Sequence, residues 1–217
     1  MTLARHTRTE RDPETATRIH MVAEAVRPAA GLINIQCYQS REQESYYVLL
    51  STWDDEESWH KARERHNPRQ LLLKSAGQHL TGEPEQWFLH YLWGYTKPTT
   101  TPGVITLQLS NVRPDKIEQA QQVWLKSLSQ QARETSLSYA FFARGAYEDQ
   151  TLTLRHTPTE AANHKETSYL QGTVLLNFFS WGSERDRETF YAHPLSQRIA
   201  TFINSTSISR VLALEPC

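Results

Sequence analysis

The chain has 217 residues, 38% hydrophobic and 22% charged, with a formal net charge of −1. This balance suits a globular protein with a buried core and lacks the basic surplus that non-specific nucleic-acid binding needs. No apolar run approaches the roughly 18 residues that cross a bilayer, and the opening MTLARHTRTERD has no signal-peptide core, so neither nucleic acid nor membrane is expected as a partner. Two cysteines, Cys37 and Cys217, make no disulfide framework and no metal cluster, which leaves the cytoplasm as the default compartment.

In chain order, Thr2 to Arg8 reads as a short strand anchored by Leu3. Asp12-Pro13-Glu14 opens a helix, with Asp as cap and Pro in the first turn. Ala16, Ile19, His20, Ala23 and Val26 mark its apolar face. After Gly31, LINIQCYQS alternates as a strand, 41–45 is a polar turn, and Tyr46 to Trp53 is the partner strand of a hairpin. Helices are expected over Asp54 to Arg65 and Pro68 to Leu80. The aromatic strand Gln86 to Tyr95 follows.

The order strand, helix, strand, strand, helix, strand is a split βαβ, ferredoxin-like unit. A linker at 98–103, rich in Thr and Pro, separates it from a second unit over 104–217. There, Val104 to Val112 is a strand. A long helix opens at Pro114-Asp115, with Ile117, Ala120, Val123, Trp124 and Leu128 on one face. Leu137 to Ala143 and Val174 to Trp181 are strands, Ser183 caps a helix broken at His193-Pro194, and Ile208 to Leu214 is the last strand. Residues 145–171 are a polar insertion in which TLTLRHT reads as an extra strand.

The two halves repeat one phrase. VLLSTWDDEESW with His66-Asn67-Pro68 is echoed by VLLNFFSWGSERD with His193-Pro194, each a strand, a tryptophan, an acidic cap and a helix broken at proline. On these residues the chain resembles the antibiotic-biosynthesis-monooxygenase family of dimeric α+β barrels, over roughly 2–96 and 103–214. The resemblance implies an α+β fold of two tandem ferredoxin-like units, packed as an intramolecular pseudo-dimer barrel, with a homodimer as a further association. It also implies a small-molecule substrate bound between sheet and helices, no cofactor, and dioxygen as co-substrate.

Cofactor-independent oxygenases of that family carry an Asn four residues before the strand Trp. Asn177 and Trp181 match, whereas Leu49 stands at the place in the first unit. An amide there stabilises developing enolate charge. Asn177, Trp181 and, as a general base, His90 of QWFLHYLWGY are therefore the expected catalytic set. Trp53, Trp59, Phe179, Tyr191 and Arg144 are the expected substrate-binding set, Trp59 matching the aromatic six residues after the Trp where the second unit has Arg187.

The nine histidines show no HxH or HExxH spacing, so no metal site is expected. His66 and His193 adjoin helix breaks and suit capping, while Arg155, His156, His164 and Lys165 read as a solvated loop or an anion-receiving cluster. The reading is a cofactor-independent monooxygenase-like enzyme acting on a phenolic or enolisable, polyketide-like compound. A non-catalytic ligand-binding or scaffold protein is the alternative. A haem-binding enzyme is third, since Ala200 stands where haem-degrading relatives place a ligand and His79 alone sits late in a helix.

Overall fold

The computed structural model describes residues 1–6, 13–41, 46–97, 103–147 and 173–217. The 98–102 part of the expected linker, the turn at 42–45, Asp12 as a cap, and the insertion beyond 147 with Arg155, His156, His164 and Lys165 lie outside the described residues. The first repeat runs β1 (Thr2–Arg5), α1 (Pro13–Val26), β2 (Leu32–Ser40), β3 (Tyr46–Trp53), α2 (Glu56–His66), α3 (Pro68–Ala76) and β4 (Glu85–Thr96). The second runs β5 (Val104–Val112), α4 (Ile117–Glu134), β6 (Leu137–Tyr147), β7 (Thr173–Trp181), α5 (Glu184–Ala192), α6 (Pro194–Thr206) and β8 (Ser207–Pro216). These are two ferredoxin-like repeats, and together they supply the eight strands of the expected two-unit barrel-type fold.

By contacts the chain divides into Met1–Trp87 with Leu214–Cys217, and Phe88–Ala213. The divisions fall inside β4 and β8, because each of these strands begins in one unit and ends in the other.

In the first unit, β1 lies between the start of β4 and β3, and β2 lies between β3 and the end of β8. Tyr47 and Leu49 of β3 point to one face by the strand period of two, and there they meet Ile19, Val22, Ala23 and Val26 of α1 and Leu72 and Ala76 of α3. The α1 face differs from expectation at one position: His20 is exposed beside Glu24, and Val22 takes the buried place. The helical stripe passes through Ile19, Val22, Ala23 and Val26, which leaves His20 on the solvent side. The helix expected from Asp54 begins at Glu56, and Asp55 caps it by accepting from Ser58 N at 2.7 Å. Asn67 caps α3, accepting from Arg69 N at 3.0 Å, with Pro68 in the first turn.

The cysteines require a correction: Cys37 and Cys217 are joined by a disulfide. The antiparallel register of β2 on β8 sets Tyr38 against Pro216, so the next pair outward is Cys37 and Cys217. Their Cα atoms are 5.4 Å apart and Cys217 N donates to Cys37 O at 3.1 Å. A separation of 180 residues hides that meeting from any local reading. It also removes cysteine usage as a ground for a cytoplasmic location.

In the second unit the order is β8-β5-β7-β6-β4. Leu175, Phe179 and Trp181 of β7 pack against Ile117, Ala120, Trp124 and Leu128 of α4, Phe190 of α5, and Ile199 and Ile203 of α6. Ser183 caps α5, accepting from Asp186 N at 3.2 Å. His193 caps α6 through Nδ1, which accepts from Leu195 N at 3.3 Å, so Asn67 and His193 do the same work before their prolines. Among the described residues no helix is long and apolar enough to cross a membrane.

Candidate functional site

The site is built on the helix-facing side of the second sheet. Leu175, Phe179 and Trp181 lie on that side, and Asn177 falls between them by the period of two. Asn177 is paired across to Gln108 on β5 and to Phe142 on β6. The row beside it is Ala140–Phe179–Thr106, and the row on the other side is Arg144–Leu175–Ser110. Trp124 of α4 lies over this floor, its ring 6.4 Å from Phe142 and 6.3 Å from Phe179.

Asn177 has no exposed surface, and among the described residues neither Oδ1 nor Nδ2 has a hydrogen-bond partner. Buried amides are almost always satisfied, and one left bare costs about 1–3 kcal/mol. Trp181 Nε1 and Trp124 Nε1 are likewise buried with no partner among the described residues, and the buried Thr106 hydroxyl acts on the Tyr191 phenol. A donor-and-acceptor amide, a hydroxyl and two indole N–H donors thus belong to one aromatic layer. That set suits a flat molecule carrying an anionic or strongly polarised oxygen.

The sequence-expected residues fall into two groups. Asn177, Trp181, Phe179 and Tyr191 come together: the Trp181 ring is 5.7 Å from both Phe179 and Tyr191. Burial pushes the Tyr191 phenol up to about 12, against the lowering by the Thr106 hydroxyl and Arg187, although part of the residue is exposed. It is therefore a neutral donor at any physiological pH. Arg144 is on the same side, one row along, with Nη1 donating to Glu118 Oε1 at 2.6 Å and Gln121 Oε1 at 3.2 Å. His90 is exposed on β4 with its ring 5.0 Å from Phe88.

Trp53 and Trp59 belong to the first unit, where their rings are 5.4 Å apart. Trp53 Nε1 donates to Ser51 Oγ at 3.1 Å, and Leu49, at the place of Asn177, is packed with Ala4, Ile19 and Leu72. The first unit thus has the tryptophans without the amide. Thr106, Gln108 and Trp124 were not among the sequence candidates. The signal for the first two was available: Val104, Thr106, Gln108, Ser110 and Val112 alternate with Ile105, Leu107 and Leu109, so one side of β5 is polar at its centre. Trp124 read only as part of an apolar helix stripe.

Comparison with known proteins gives the fold, and a family likeness for the first repeat. An anthrone oxidase-like protein has a TM-score of 0.63 at 12% identity, covering 100% of this chain and 90% of that one. A protein from Fusobacterium nucleatum, provisionally called a monooxygenase, has a TM-score of 0.62 at 7% identity, over 99% and 90%. A major regulator of staphylococcal pathogenesis has a TM-score of 0.53 at 7% identity, over 100% and 99%. At these identities the likeness is one of fold. No protein of curated function matches the sequence. Residues 4–68, in the first repeat, match the family model described as Antibiotic biosynthesis monooxygenase.

Proposed function

We propose that the protein is a cofactor-independent monooxygenase that binds a phenolic or enolisable, polyketide-like small molecule against the helix-facing side of its second sheet. The observation that supports this most is the fully buried Asn177, with both amide atoms unpartnered beside an unpartnered Trp181 indole. Asn177 Nδ2 and Trp181 Nε1 donate to the substrate oxygen and stabilise the enolate formed when the neighbouring carbon loses a proton to solvent or to a base. The exposed His90 is the imidazole proposed from sequence for that base. The carbanion gives one electron to dioxygen, and the radical pair recombines to form a C–O bond. The peroxide takes up the proton, and loss of water leaves a carbonyl. One dioxygen and two substrate hydrogens become one carbonyl oxygen and one water. Thr106, Trp124 and Tyr191 line the aromatic layer that excludes bulk water. The test is oxygen uptake on anthrone: wild type consumes oxygen, and Asn177→Ala loses about a hundredfold in rate. No uptake by the wild type, or an unchanged rate in the variant, overturns the reading.

A non-catalytic reading has one observation in its favour, the complete burial of Trp181 and Phe179 among aromatic neighbours. In it the amide holds a buried water and the layer is core. Asn177→Leu then loses stability, since a bonded group is removed.

A further inference from the structure

Gln108 and Asn177 are directly opposed on neighbouring strands, yet their amides do not bond to one another. Opposed side chains on a sheet stand about 5 Å apart at Cβ, so two amides there have every opportunity to pair. On its other side Gln108 meets a chain of serines that sets the direction of its amide. Ser207 Oγ donates to the Ile203 carbonyl at 2.8 Å, and a carbonyl only accepts. Its proton being used, Ser207 receives from Ser209 Oγ at 3.2 Å. Ser209 in turn receives from Ser110 Oγ at 2.8 Å. Ser110 is left with a lone pair only, and takes the long bond from Gln108 Nε2 at 3.4 Å. The chain of three hydroxyls has one direction, set by the Ile203 carbonyl, and it assigns the nitrogen of Gln108 to the Ser110 side. Gln108 Oε1 remains an acceptor that receives no hydrogen bond from the described residues. Gln108 is half-buried where Asn177 is fully buried, so this end of the row is the more open one.

We propose that Gln108 is a specificity residue of the second unit: its carbonyl, turned away from Ser110, accepts from a ligand hydroxyl that stands beside the oxygen held by Asn177. The ligand class is a hydroxy-ketone or its enolate, with a donor hydroxyl a few ångströms from the acceptor oxygen. This rests on the binding side assigned above. Ser110, Ser207 and Ser209 act through Gln108 and are positioning residues.

The test uses two oxygen-stable planar ketones, anthraquinone and 1,8-dihydroxyanthraquinone, titrated against the protein with tryptophan fluorescence as the readout. Wild type binds the dihydroxy compound about tenfold more tightly, the value of one hydrogen bond of ordinary strength. Gln108→Met keeps the length of the side chain and removes the acceptor; the preference falls to within twofold. Ser209→Ala breaks the serine chain at its middle, frees the amide to turn over, and reduces the preference about threefold without changing anthraquinone affinity. An unchanged preference in Gln108→Met overturns the proposal, as does a wild type with no preference. If neither quinone binds wild type, the binding side itself falls. If anthrone uptake is lost in Asn177→Ala while no hydroxyl preference exists, only the role of Gln108 falls.

Discussion

Asn177 and Leu49 hold the same place in the two repeats, each on the third strand and each four residues before its tryptophan. Leu49 meets apolar neighbours and is satisfied; Asn177 is equally buried and is not. One position carries packing in one repeat and an unmet hydrogen-bonding demand, shut away from solvent, in the other.

Exchanging these residues should move stability in opposite directions. Asn177→Leu removes a bare amide and is expected to raise unfolding free energy by about 1 kcal/mol while abolishing ligand binding. Leu49→Asn buries a new amide among Ala4, Ile19 and Leu72 and should cost about 2–4 kcal/mol. Urea denaturation of the two variants checks both signs.

Trp181→Ala should cost about 3–5 kcal/mol, because the indole has no exposed surface and its neighbours Phe179, Phe190 and Tyr191 collapse only partly into the space. Trp181→Phe keeps most of the volume and loses the N–H. It is expected to cost much less stability and to reduce anthrone-driven oxygen uptake about tenfold, which a stopped-flow oxygen trace would read.

Stability at alkaline pH should depend on Tyr191. Its phenol titrates near 12 in the folded protein against an ordinary value near 10. The group is held neutral by folding, so its contribution is intact below pH 10 and is lost as pH rises from 10 to 12, where the unfolded chain ionises first. Tyr191→Phe should flatten that part of the stability profile and leave the neutral range almost unchanged. A wild-type profile with no slope over this interval, or a variant with the same slope, would contradict it.

Reduction of the Cys37–Cys217 bond should destabilise the folded chain. Closing a loop across 180 residues limits the unfolded ensemble, by at most about 5 kcal/mol on the chain-entropy account. Denaturation midpoints with and without dithiothreitol, and with Cys37→Ser, should agree with each other in the reduced forms and fall below the oxidised one. Equal midpoints in all three would contradict the expectation.

Local patterns in the sequence carried the fold. Tyr46 to Trp53 and Val104 to Val112 were legible to the residue, since alternation, turn residues and the tryptophan end all agree there. The breaks at Asn67-Pro68 and His193-Pro194 were legible because proline and a capping side chain mark a helix start together. What stayed hidden depended on partners far along the chain. The meeting of Cys37 with Cys217 is set by the β2–β8 register. The direction of the Gln108 amide is set by serines about a hundred residues further on, whose bond to Ser110 spans a separation of 99. His20 was misplaced because a stripe counted from Ile19 admits two adjacent positions, and only packing chooses between them.

β4 and β8 each leave the unit in which they begin. Neither repeat is therefore a freestanding product. A gene cut between 97 and 103 would yield one fragment with a surplus strand segment and a missing border, and another with the converse defect. On the ribosome the first sheet must wait for residues 214–216 before its border with β2 is filled, so its assembly follows synthesis of the whole second repeat.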